Sequence, residues 1–205
     1  MNSARLFPIF LKLAGRSCLV VGAGTVAESK IASLVEVDAQ VRVVAPAATP
    51  EVRSWALSRR VEWLQRGFQP DDLDGMFLVV AATSSMELHE QIFQEAMRRG
   101  VLCNIVDVPE LCDFYYPAVV QRGALQIAVS TSGQSPALAQ RLRIELEEQF
   151  GPEYKAWLDY LGEAREKLQP QKLDPQERKR LLHELASKKA FDAFRREHKR
   201  ATSSD

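Results

Sequence analysis

Over the first 110 residues the apolar positions fall in short, nearly unbroken runs. These are Cys18-Leu19-Val20-Val21, Val41-Arg42-Val43-Val44, Val61-Glu62-Trp63-Leu64, Phe77-Leu78-Val79-Val80-Ala81-Ala82 and Leu102 to Val106. Runs of this kind predict strands covered on both faces. Between them the spacing changes to the helical period, as where Ala27, Ile31, Leu34 and Val35 share one face. Pro50 suits the first turn of a helix over 51–59, and Ser84 with Glu87 reads as a capping box for a helix running to Arg98. Gly100 ends that helix. Strands alternating with helices imply right-handed crossovers and a doubly wound, parallel α/β sheet.

Past residue 110 the pattern changes. Tyr115 to Val120 and Leu125 to Val129 are β-rich and separated only by Gln121-Arg122-Gly123-Ala124, a spacing that predicts an antiparallel hairpin. Thr131-Ser132-Gly133-Gln134 is a polar loop, and Ser135-Pro136 places an N-cap and an N1 proline ahead of a helix through Glu148. Gly151-Pro152 breaks the chain, and two or three amphipathic helices follow, with breaks at Pro170 and near Pro175.

Composition narrows the function. Lys plus Arg and Asp plus Glu are both 27, so net charge is zero, which argues against nucleic acid as the main partner, since phosphate binding needs a basic surplus. The basic pairs Lys188-Lys189, Arg195-Arg196 and Lys199-Arg200 are interleaved with acids and read as solvated helix faces. Cys18, Cys103 and Cys112 share no CxxC spacing and read as reduced thiols of a cytoplasmic protein, without a disulfide framework or zinc site. No apolar stretch reaches the ~18 residues of a membrane span, and no signal-peptide pattern opens the chain. His89, inside a helical stretch and without a partner at metal-ligand spacing, reads as a surface residue.

The strongest chemical signal is Gly22-Ala23-Gly24-Thr25-Val26-Ala27, a G-x-G-x-x-A turn directly after a strand and opening a helix. Gly22 permits the tight turn, Gly24 lets a pyrophosphate approach the backbone, and Ala27 lets helix and strand pack closely. The helix N-terminus adds free N–H groups for the phosphates. The acid that usually binds the ribose hydroxyls is missing, because the second strand ends Val44-Ala45-Pro46-Ala47. No Arg follows at once to hold a 2′-phosphate, so the choice between NAD and NADP stays open. Asn104 and Asp107 stand at the C-terminal end of the fifth run, the edge that faces the ligand crevice. Asp107 is a general base, a metal-contacting carboxylate, or a turn former ahead of Val108-Pro109. Thr83, on the same edge, bonds the cofactor or introduces the helix cap. Thr131 to Pro136 offers donors to a carboxylate-rich ligand or is a plain helix N-terminus.

Leu6-Phe7-Pro8-Ile9-Phe10-Leu11, the glycine turn with Lys30, Ala81-Ala82-Thr83, Cys103-Asn104-Ile105-Val106-Asp107 and Ser132-Gly133-Gln134-Ser135-Pro136 occur in order. In that order and spacing the chain resembles precorrin-2 dehydrogenase, the N-terminal module of siroheme synthases. The resemblance implies NAD-dependent oxidation of precorrin-2 to sirohydrochlorin and, in bifunctional members, insertion of ferrous iron by the same site. It implies a homodimer of three parts: an α/β Rossmann-like parallel-sheet domain over 1–113, a small α+β dimerisation region over 114–150, and a helical C-terminal domain over 151–205.

Carried over position by position, the family's cofactor contacts fall on Thr25, Val26, Pro46 and Ala47, and the aspartate for dehydrogenation and chelation falls on Asp107. Gly22, Ala23, Gly24, Thr83 and Asn104 join them as candidate cofactor residues read from the turn and the sheet edge, and Ser132, Gly133 and Ser135 are candidate substrate-binding residues. A serine phosphorylated in some members falls on Thr131, so that regulation is not carried over. The methyltransferase domain often appended to siroheme synthases has no counterpart in these 205 residues, so methylation is expected from another protein. The competing class, a non-enzymatic NAD-sensing regulatory module, explains the glycine turn but leaves Asn104, Asp107 and Ser132 to Pro136 without a role.

Overall fold

The computed structural model describes residues 5–202, with side chains described to residue 197. Lys199-Arg200 therefore lies outside the described side chains, while Lys188, Lys189, Arg195 and Arg196 are exposed as expected. The chain divides into two compact units, Met1–Tyr116 and Pro117–Asp205.

The first unit holds β1 (Ser17–Val21), α1 (Thr25–Glu36), β2 (Gln40–Val44), α2 (Pro50–Leu57), β3 (Glu62–Leu64), β4 (Leu78–Ala81), α3 (Met86–Arg99) and β5 (Leu102–Ile105). The five strands are all parallel, in the order β3-β2-β1-β4-β5. Strand β1 shows why its run is unbroken. Its side chains alternate between two buried layers, Cys18 and Val20 joining Ala27, Ile31, Val43 and Val52, and Leu19 and Val21 joining Leu73, Val79, Ile92 and Ile105. Both faces of the sheet are covered, so polar alternation has no place in it. Strand order reverses at β1, whose neighbours β2 and β4 lead to opposite edges, and in such sheets the ligand crevice opens beyond the C-terminal ends at that point.

Local signals place the helix ends. Thr49 caps α2 ahead of Pro50, and Gly100 closes α3 in the left-handed conformation at φ 66°. The α3 cap is Ser85, whose side chain accepts from the Leu88 N–H, so the box expected from Ser84 and Glu87 is corrected by one residue. His89 is also corrected. It is 5% exposed and falls on the buried stripe of α3 with Ile92 and Ala96.

In the second unit β6 (Ala118–Arg122) and β7 (Leu125–Val129) form the antiparallel hairpin, closed by the two residues between them. The first strand starts later than expected because Phe114 to Tyr116 belong with the first unit. Phe114 packs against the α1 side of the sheet, and its carbonyl accepts from Asn104 Nδ2 at 2.7 Å. Helices α4 (Pro136–Gln149), α5 (Glu153–Leu168), α6 (Pro175–Leu185) and α7 (Lys188–Thr202) follow. The expected break lies between the end of α5 at Leu168 and the start of α6 at Pro175, where Asp174 is the cap. Trp157 is the buried centre of an aromatic cluster with Tyr160, Phe191 and Phe194 that joins α5 to α7.

One ion pair in the first unit makes stability depend on acid. Asp72 is 4% exposed, and its carboxylate accepts from Arg66 Nη1 at 2.8 Å and Nη2 at 2.6 Å and from the Gln69 N–H at 2.8 Å. Burial pushes this carboxyl up, but those hydrogen bonds and the Arg66 charge outweigh it and hold it below the ordinary carboxylate value. A depressed carboxyl stabilises the fold above its unfolded-state value and loses that contribution as pH falls through the folded one. Asp72→Ala is expected to cost about 2–3 kcal/mol at neutral pH. The gap in unfolding temperature from the parent should narrow below the ordinary carboxylate range, and a gap constant with pH would contradict this.

Candidate dinucleotide site

The glycine turn joins β1 to α1 at the strand-order reversal and is fastened from both sides. Gly22 donates to the Val44 carbonyl at 2.9 Å, Ala82 donates to Val21 at 2.9 Å, and the Ala23 carbonyl accepts from Thr49 at 3.0 Å. The last bond draws the segment after β2 to the turn, leaving Pro46 and Ala47 exposed at the same sheet edge. Gly22 has φ 104°, and a Cβ there would drive into the Ala82 carbonyl oxygen and sit 3.0 Å from its carbon. Gly24 differs. Its backbone is ordinary at φ −81°, and a Cβ there would meet nothing within 4 Å. The first glycine serves the fold and the second keeps space open.

Three observations fit a pyrophosphate in that space. Gly24 is the N-cap of α1 and no side chain among the described residues caps the helix, so the amides of its first turn are left for a ligand. Thr25 and Val26 are exposed there, Val26 by 50%. Thr83, just past β4, has a buried Oγ1 without a hydrogen-bond partner among the described residues, and its methyl group lies 3.5 Å from where a Gly22 Cβ would be. An orphaned hydroxyl against the glycine turn costs stability unless a ligand uses it.

His89, which sequence reasoning left on the surface, positions this threonine. Its Nε2 hydrogen-bonds the Thr83 carbonyl at 2.9 Å and so fixes the start of the loop between β4 and α3. The signal was present in the sequence, since 89, 92 and 96 share one helix face.

Asn104 is buried in β5, and its Nδ2 is spent on the Phe114 carbonyl. That nitrogen holds the chain after β5, and only the amide oxygen is left for a cofactor. Asp107 lies in the turn after β5 with φ 64°, its carboxylate exposed and, among the described residues, without a hydrogen bond or ion pair. It is thus a turn residue and an available carboxylate together, because Asp tolerates the left-handed region. Ser132 (φ 51°), Gly133 (φ 78°) and Ser135 lie in the second unit, in the loop before α4. There Ser135 Oγ is the α4 cap, accepting from Leu138, and Thr131 Oγ1 accepts from the Ser135 N–H.

The parallel sheet, the glycine turn at its reversal point and the open edge define a dinucleotide-binding protein. Residues 9–118 match the NAD(P)-binding family model, and residues 122–149 match the central domain of sirohaem biosynthesis proteins. The chain belongs to the precorrin-2 dehydrogenase and siroheme synthase family. The siroheme synthase of Nitrosococcus oceani is 42% identical over 140 residues, 68% of this chain and 30% of that protein. The siroheme synthase of Photorhabdus laumondii is 37% identical over 179 residues, 87% of this chain and 38% of that protein. The chain thus spans about a third of the length of these relatives. The solved structure of SirC, a precorrin-2 dehydrogenase, superposes with a TM-score of 0.81 at 26% identity, covering 91% of this chain and 92% of that one.

Proposed function

We propose that this chain oxidises precorrin-2 to sirohydrochlorin with NAD as the acceptor. The observation that carries the reading is the likeness to a solved precorrin-2 dehydrogenase over 91% of this chain and 92% of that one. When bound, the dinucleotide supplies a hydride acceptor. The chain's own residues do the rest. The α1 amides and Gly24 seat the pyrophosphate, the segment at Pro46 and Ala47 faces the ribose, and Thr83 donates its hydroxyl to the cofactor. Asp107 accepts the proton lost as the macrocycle gives up hydride, which balances the two-electron oxidation. Ser132, Gly133 and Ser135 offer donors to a carboxylate-rich ligand. Anaerobic addition of precorrin-2 should yield one NADH per tetrapyrrole. Dinucleotide binding without reduction would instead leave a regulatory module. Continuing the assay with ferrous iron reads whether the protein accelerates metal insertion.

We also propose that the chain works as a homodimer through residues 114–150, in the cytoplasm. The β6–β7 hairpin has two open edges, and the face bearing Val119 and Ala128 is exposed, as are Leu138 and Ile144 on α4. A two-stranded sheet is marginal alone and gains from a partner surface. Burial raises the thiol of Cys18 to about 11 and that of Cys103 to about 12, which suits inert, reduced cysteines. Sedimentation at micromolar concentration should show a dimer, and a monomer there would refute the assembly.

A further inference from the structure

On α1 the residues Val26, Lys30 and Ser33 share a face beside the buried stripe of Ala27, Ile31 and Leu34. Tyr116 lies across that face. The Lys30 ammonium sits 3.8 Å from the centre of the Tyr116 ring, and the Tyr116 hydroxyl meets Ser33, whose own hydroxyl donates to the Lys30 carbonyl at 2.8 Å. A phenol is neutral at physiological pH, so the ring presents an uncharged face to the cation.

Lys30 is set apart by what it lacks. Arg42, Arg66 and Arg99 in the same unit are also half-buried, and each is paired with a carboxylate. Lys30 has no carboxylate within 4 Å among the described residues, although Asp107 acts on it electrostatically from the turn after β5. Burial lowers the lysine's pKa and the Asp107 charge opposes that, the two sides of an ammonium that would gain from a closer anion. An aromatic face binds the cation without using up its three N–H donors.

We infer that Lys30 is a specificity-determining residue that seats one carboxylate of a polycarboxylate macrocycle, with the Tyr116 ring fixing its ammonium. The inference rests on the proposed substrate, which carries eight carboxylates, and names the residue of this chain that reads one of them.

The test is binding of an octacarboxylate porphyrin and its uncharged octamethyl ester to the full chain, read by fluorescence. Lys30→Met keeps the length and apolar stem but not the charge, and Lys30→Arg keeps the charge. The octacarboxylate should bind Lys30→Met about tenfold more weakly than the parent, as expected for one charge-assisted hydrogen bond at a half-exposed site. Lys30→Arg should recover most of that affinity. Salt should weaken the parent's binding more than that of Lys30→Met, and the ester should bind both alike. NAD affinity should not change. Equal octacarboxylate binding by parent and Lys30→Met, no binding by either, or a loss shared by the ester or by NAD would overturn the assignment. Failure to reduce NAD with precorrin-2, alongside charge-dependent porphyrin binding, would remove the proposed reaction and leave Lys30 as the anion site.

Discussion

Asp107→Asn is expected to lower the rate of NADH formation from precorrin-2 by roughly 10²–10⁴-fold, the range for loss of a general base. NAD affinity and folding should survive. The substitution is clean for structural reasons. Residue 107 holds φ 64°, and Asn is among the few residues that accept the left-handed region as readily as Asp. The turn's backbone bonds, Val106 to Ala81 at 2.9 Å and Val108 to Ile105 at 3.2 Å, do not involve the side chain. The exposed carboxylate makes no hydrogen bond or ion pair among the described residues that the substitution would break. What is lost is therefore charge and basicity. The measurement is anaerobic turnover, with thermal unfolding as the control for folding. Unchanged turnover in a folded Asp107→Asn protein would make solvent the proton acceptor and leave Asp107 as a turn former.

The sheet and the glycine turn were legible because each rests on local chemistry. Runs such as Leu78 to Ala81 are buried on both faces, and the turn places Gly22 where only glycine fits. Readings failed where tertiary contact overrode local preference. Tyr115 and Tyr116 have high strand propensity, yet Tyr116 leaves the hairpin to cover Lys30. Polar type misled at His89, whose buried ring answers the Thr83 carbonyl, a partner six residues away that no spacing rule announces. Asn104 was placed correctly at the edge, but a strand-end amide reads the same whether it serves a cofactor or the chain. Its bond to Phe114 decides for the chain at the nitrogen. The uncapped amides of α1 and the orphaned Thr83 hydroxyl became visible only in three dimensions, since an unsatisfied group is defined by what fails to reach it.

Gly24→Val is expected to abolish tight dinucleotide binding while leaving the protein folded. The two glycines of the turn separate fold from ligand. At Gly22 a side chain would meet the Ala82 backbone in a conformation of φ 104°, so Gly22→Ala should unfold the β1–β4 junction and lose binding together with stability. At Gly24 the extended backbone, φ −81° and ψ −175°, suits a β-branched residue, and among the described residues nothing lies within 4 Å of the new Cβ. The valine then projects into the space through which a pyrophosphate reaches the α1 amides. Displacing it by the width of an isopropyl group should weaken NAD by about 100-fold or more, roughly 2.8 kcal/mol at 1.4 kcal/mol per decade. Unfolding temperature should stay near the parent's without NAD, and the stabilisation that NAD gives the parent should vanish. A Gly24→Val protein that binds NAD as tightly as the parent would place the cofactor away from this turn.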